Sequence, residues 1–97
     1  MVDDTEKRIL ALVEPWNGRS LLTLKKKVIT VDTSLNQDMN MDPEDAAELL
    51  TEVFDAFGMQ PDEVDFSRYY PRDWRNAQPL TVNMLILSAR AGRWLYA

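Results

Sequence analysis

Apolar residues recur along this chain with a helical period in several places, and the clearest run lies between Asp42 and Gly58, D-P-E-D-A-A-E-L-L-T-E-V-F-D-A-F-G. At roughly 100° per residue, Ala46, Leu49, Leu50, Val53, Phe54 and Phe57 fall on one face. Glu44, Glu48, Thr51, Glu52 and Asp55 fall opposite. The ends are punctuated: Asp42 suits an N-cap, Pro43 the first helical position, and Asp45 a short capping box reaching back toward the cap. Gly58 is the stop. The pattern predicts a helix over 42–57 with a core face and an acidic face.

Two further helices are predicted around it. Asp3 and Glu6 form a capping box for a first helix carrying Ile9, Leu10, Leu12 and Val13, which Pro15 ends near Glu14. Trp16 packs across its end, and Asn17-Gly18 is a turn signal. The last helix starts at Thr81, after Pro79, and stops near Gly92, with Val82, Leu85, Ile86 and Ala89 as its core stripe. Met84, Leu87 and Ala91 lie on the other side. Either this helix is buried on both faces, or Met84, Leu87, Ala91 and the following Trp94 form an interface, which includes one between two copies of the chain.

Between the helices the signals are weaker. Ser20 to Val31 ends in Val28, Ile29, Thr30 and Val31, whose β-branching favours a short extended segment in a long crossing connection. Asp32, Ser34 and Asn36 alternate like the start of a calcium loop, but Gln37 stands where the loop needs Gly and Pro43 where it needs a bidentate Glu, so no calcium site is read here. Pro61, Asp62 and Glu63 open a short helix that turns Val64, Phe66 and Tyr69 inward, ended by Pro71. The polar stretch from Arg72 to Gln78 holds Trp74 between Arg72 and Arg75. Such a cluster can stack bases, but the acidity of the neighbouring chain favours a loop docked within the molecule.

Composition narrows the chemistry. The 97 residues suffice for one domain with one modest core, taken as 1–97, and the fold class is all-α, a small bundle of three to four helices. Cysteine and histidine are both absent, which removes disulfides, thiolate metal sites, and the commonest general base and metal ligand. The N-terminus is acidic where a signal peptide is basic, and no apolar run has the length of a membrane span, so the expected location is the cytoplasm. Net charge is −5, and from Asp32 to Asp65 there are eleven acidic residues and no Lys or Arg. A block of that sign repels nucleic acid and anionic lipid and attracts a basic protein surface. It also serves solubility alone.

The segment D-M-N-M-D-P-E-D-A-A-E-L from Asp38 to Leu49 resembles the start of the second helix of acyl carrier proteins, D-L-G-x-D-S-L-x-x-x-E-L. In that family the Ser carries phosphopantetheine, and the aligned residue here is Pro43, which has no nucleophilic atom. A broader match joins D-M-x-M-x-x-x-D-A-A-E-L-L to F-S-R-Y-Y-P (Phe66 to Pro71) and to P-L-T-V-x-M-L-I-x-x-A-x-A-G-R-W (Pro79 to Trp94). This set is similar to a family of small bacterial proteins catalogued as domain of unknown function 1493, described as acyl-carrier-like. The resemblance implies an acyl-carrier-like bundle without a cofactor at the aligned site. It also implies a non-catalytic module presenting Glu44, Glu48, Glu52 and Asp55 to a basic partner, such as an enzyme that recognises carriers.

Two other readings stand beside it. A working carrier would hold phosphopantetheine at another serine, of which Ser34, followed by Leu35, is the best of Ser20, Ser34, Ser67 and Ser88. Against it, Pro43 cannot lie inside a helix begun at Ser34, which leaves Ser34 as a loop hydroxyl with Leu35 and Met39 turned inward. An enzyme would have to work with carboxylates, Lys or Tyr, and carboxylates on a solvated helix face lack the surroundings that tune a catalytic group.

Overall fold

The computed structural model describes residues 4–17 and 28–96. What is expected of Asp3, of the turn at Gly18 and of Ser20 lies outside those residues. The described fold is mostly helical: α1 (Thr5–Val13), α2 (Pro43–Ala56) and α3 (Val82–Ala91), with 3-10 turns at Glu14–Trp16, Pro61–Glu63, Phe66–Arg68 and Trp74–Asn76. Helix α1 packs against both α2 and α3. It turns Ile9 and Val13 fully inward, while Pro15 tightens its end into the 3-10 turn that seats the buried Trp16.

Helix α2 buries Ala46, Leu49, Leu50, Val53 and Phe54, each of the larger ones worth ~1.5–3 kcal/mol relative to exposure. Its start differs from expectation. Asp42 is the N-cap residue in extended conformation and Pro43 opens the helix, but the Asp42 side chain makes no capping bond, so the box with Asp45 does not form. Its end is a complete Schellman turn. Gly58 adopts φ +67°, the Gly58 N–H reaches the Asp55 carbonyl at 3.4 Å, and the buried Met59 donates its N–H to the Phe54 carbonyl at 2.8 Å.

Helix α3 is capped by Thr81, whose hydroxyl accepts the Met84 N–H, and is closed by Gly92 at φ +76°. It buries Val82, Leu85, Ile86 and Ser88, with Ala89 half-buried. The chain beyond it folds back on the core. Trp94 lies against Phe54 (centroids 5.9 Å), Tyr69 (6.4 Å) and Tyr96 (5.4 Å). Its backbone N–H, not the indole, donates to Glu63 Oε2 at 3.1 Å.

The extended segment expected near 28–31 is not a strand. Thr30 and Thr33 close a turn, with the Thr30 N–H donating to Thr33 Oγ1 at 2.9 Å. The carbonyls of Val31 and Thr33 accept the N–H groups of Asn83 (2.8 Å) and Val82 (2.9 Å) at the start of α3. A single antiparallel bridge, Ser34 to Thr81, is all that resembles a ladder among the described residues. The loop's acceptors are taken by a helix end whose first N–H groups have no partner of their own. The region after Gly58 also departs from expectation, since two 3-10 turns replace one short helix, with Tyr69 buried and Val64 and Phe66 half-buried.

Candidate functional site

On α2, Glu44, Glu48, Glu52 and Asp55 are all exposed. At helical geometry they fall within an arc of about 80° and span about 16 Å along the axis. None forms an ion pair among the described residues, where the pairs are Arg68 with Asp65 and Arg75 with Asp73. Like charges at this spacing cost an isolated helix about 0.2–0.5 kcal/mol per pair. Glu44, in the first turn, gains from the helix dipole, whereas Glu48, Glu52 and Asp55 have no such compensation.

A cleft of about 540 Å³ opens at the head of the same helix. Pro43, Tyr70, Pro71 and Trp74 give it flat apolar surfaces, while Asn36, Gln37 and Asn40 contribute amides. Tyr69 and Ala77 complete the lining. Residues 36–43 and 69–77 are brought together by side-chain amides that bind backbone. Asn36 Nδ2 donates to the carbonyls of Tyr69 (2.9 Å) and Gln78 (2.7 Å), and Gln37 Nε2 to that of Ala77 (3.2 Å). The Tyr70 hydroxyl donates to the Met41 carbonyl at 2.9 Å, and its ring stacks on Phe66 at 4.9 Å. Burial, reinforced by the Asp42 and Asp45 carboxylates, raises the Tyr70 hydroxyl well above the ordinary tyrosine range. Burial also raises Tyr69, with Arg68 opposing it.

The Trp74 loop is docked through its backbone, but Trp74 itself is 79% exposed. Its neighbour Arg75 is forked onto Asp73 at 3.0 and 3.2 Å, and that pairing lowers the Asp73 carboxyl. Asn40 takes φ +52°, a left-handed conformation that asparagine tolerates better than most residues.

Ser34 is 3% exposed, and its hydroxyl accepts the N–H groups of Gln37 and Asp38, each at 3.0 Å. Asp38 returns the contact by accepting the Ser34 N–H at 2.8 Å. Leu35 and Met39 are buried beneath this turn. Of the candidate interface on α3, Leu87 and Ala91 are exposed and Met84 is half-buried. Trp94 does not join them: at 3% exposure it belongs to the core, because the turn at Gly92 sends the chain back toward Phe54. The cleft residues Asn36 and Tyr70 carry no periodic signal, and the nearest hint was the aromatic cluster F-S-R-Y-Y-P. Among the described residues no helix is long and apolar enough to cross a membrane.

No curated protein and no solved structure gave a significant match to this sequence. The family described as protein of unknown function (DUF1493) matches over residues 2–97, and the chain belongs to it.

Proposed function

We propose that the protein is a non-catalytic, acyl-carrier-like interaction module that presents the acidic face of α2 to a basic surface on a partner protein. The observation that supports this reading is the row of exposed carboxylates Glu44, Glu48, Glu52 and Asp55, which finds no ion-pair partner among the described residues and sets like charges three and four positions apart. Clustered charge of one sign speeds association and selects partners of the opposite sign. Pro43, at the first position of α2, offers no hydroxyl for a prosthetic arm, so the reading assigns the helix to recognition rather than to carrying a substrate.

The test compares the wild-type chain with the Glu48→Lys/Glu52→Lys double variant as baits in cross-linking from the native cell extract. A partner of this face is captured by the wild type, released as salt is raised, and lost to the variant. A partner held equally by both, at low and at high salt, would refute the proposal.

A further inference from the structure

At the head of α2 the cleft and the acidic face share an edge: Pro43 lines the cleft, and its neighbours Asp42 and Glu44 stand exposed beside it. The cleft is built before any ligand arrives. Stacking on Phe66 at 4.9 Å and the bond to the Met41 carbonyl hold the Tyr70 ring in place. Trp74 leaves most of its indole open, and among the described residues its Nε1–H donates to nothing. An exposed ring of this size on a cleft rim is a surface that gains by being covered. The amides are less available. Asn36 has both N–H groups and its oxygen bound to backbone, and Gln37 holds the Ala77 carbonyl. That leaves few groups to match the many hydroxyls of a sugar.

Rings of tyrosine, tryptophan and proline with a free indole donor fit a polyproline II segment. Such a segment offers flat pyrrolidine faces, has backbone carbonyls free to accept, and loses little entropy because it is extended beforehand. The carboxylates of Asp42 and Glu44 at the edge favour a cation next to the prolines. We propose that this cleft binds an extended proline-rich segment of a partner protein bearing a Lys or Arg beside the prolines. The proline pocket stands on the cleft alone, and only the basic residue rests on α2 being an acidic docking face.

The probe is a synthetic proline-rich peptide with flanking arginines, titrated into the full chain while tryptophan emission and backbone amide shifts are followed. Trp16 and Trp94 are buried, so Trp74 carries the emission change. Saturable binding is expected, with amide shifts at residues 36–43 and 69–77. It should weaken about tenfold or more in Trp74→Ala, and as much for an analogue with Gly and Ser in place of the prolines. Trp74→Phe, which keeps a ring and removes the donor, should lose several-fold, and it carries the test if the alanine variant misfolds. The Glu48→Lys/Glu52→Lys chain should retain the peptide.

Absence of binding at millimolar peptide overturns the proposal, as does equal binding of the Gly-Ser analogue. Loss of the peptide from the charge-reversed chain as complete as from Trp74→Ala would assign the attraction to α2 and remove the cleft. Failure of the basic partner to depend on Glu48 and Glu52 would leave the proline pocket untouched.

Discussion

Asn36 Oδ1 accepts the backbone N–H of Leu80 at 3.0 Å, joining positions 44 residues apart. With the Tyr69 and Gln78 carbonyls bound to the same side chain, one amide fixes the loop that forms a wall of the cleft. Aspartate in its place keeps the acceptor and loses both donors, setting a carboxylate against two carbonyls. Asn36→Asp should therefore destabilise the protein by about 1–3 kcal/mol, a fall in Tm of several degrees for a domain of this size. Thermal melts followed by circular dichroism test this, and an unchanged Tm would show that the amide does not hold the loop.

The parts of the fold legible in the sequence are those whose information is local. Pro43 and Gly58 bound α2, and Thr81 and Gly92 bound α3, because each supplies a backbone conformation or a hydroxyl needed within one turn of itself. The acidic face was legible for the same reason. Where the deciding partner is distant, the local sequence carries no trace of it. Val28 to Val31 have strand propensity, but the Val31 and Thr33 carbonyls go to the N–H groups of α3, about fifty residues on. Trp94 follows Leu87 and Ala91 closely in the chain and so reads as part of their surface, yet the turn after α3 carries it to Phe54. The cleft leaves no local signal because side-chain to backbone bonds join residues 36–43 to residues 69–77, some thirty to forty positions away.

Arg8 reaches from α1 to the end of α2. Its guanidinium lies 4.3 Å from the Phe57 ring centroid and donates to the Ala56 carbonyl at 3.3 Å. Helix α2 has no basic residue in its last turn, so this borrowed cation faces the negative end of the helix dipole. Arg8→Ala should cost about 0.5–1.5 kcal/mol. Arg8→Lys should recover only part, since it keeps the charge without the planar stack. Denaturant titration at low and high salt checks both, and equal stability of all three chains would remove the clamp.

Leu50 lies on the core face of α2 at 3% exposure. Leu50→Asp places an unpaired carboxylate there, at a cost that rivals the whole stability of a small domain. The variant should lack a cooperative melt at 25 °C and above. A melt close to wild type would mean that the position reaches water.

The raised Tyr70 hydroxyl makes stability depend on alkaline pH. In the unfolded chain a tyrosine ionises near pH ~10, whereas the folded chain keeps the Tyr70 proton beyond that point. Below pH ~10 both states hold the proton and the contribution is complete. As pH rises from there toward the folded value, the unfolded state binds fewer protons than the native state, so stability falls. Tyr70→Phe loses the bond to the Met41 carbonyl and is less stable at neutral pH, but its stability should decline less steeply above pH ~10. Denaturant midpoints across that range separate the two curves. Parallel curves, or phenolate absorbance near pH ~10 that the folded wild type shows and folded Tyr70→Phe lacks, would contradict the burial of the hydroxyl.

Ser34 decides whether this chain can carry a prosthetic arm away from Pro43. Its hydroxyl accepts the Gln37 and Asp38 N–H groups at 3.0 Å each, and the residue is almost completely covered. Esterification would need Oγ free and exposed, which requires opening the turn and uncovering Leu35 and Met39 beneath it. Intact mass after expression with a broad-specificity phosphopantetheinyl transferase should therefore equal the mass without it, while a carrier expressed alongside gains one arm. Ser34→Ala should be unmodified in the same way and destabilised by about 0.5–1.5 kcal/mol, because the Gln37 N–H loses its acceptor while the Asp38 N–H keeps the Ser34 carbonyl at 3.1 Å. A gain of one phosphopantetheine that maps to Ser34 and disappears in Ser34→Ala would make the protein a carrier, with a turn that opens to the transferase.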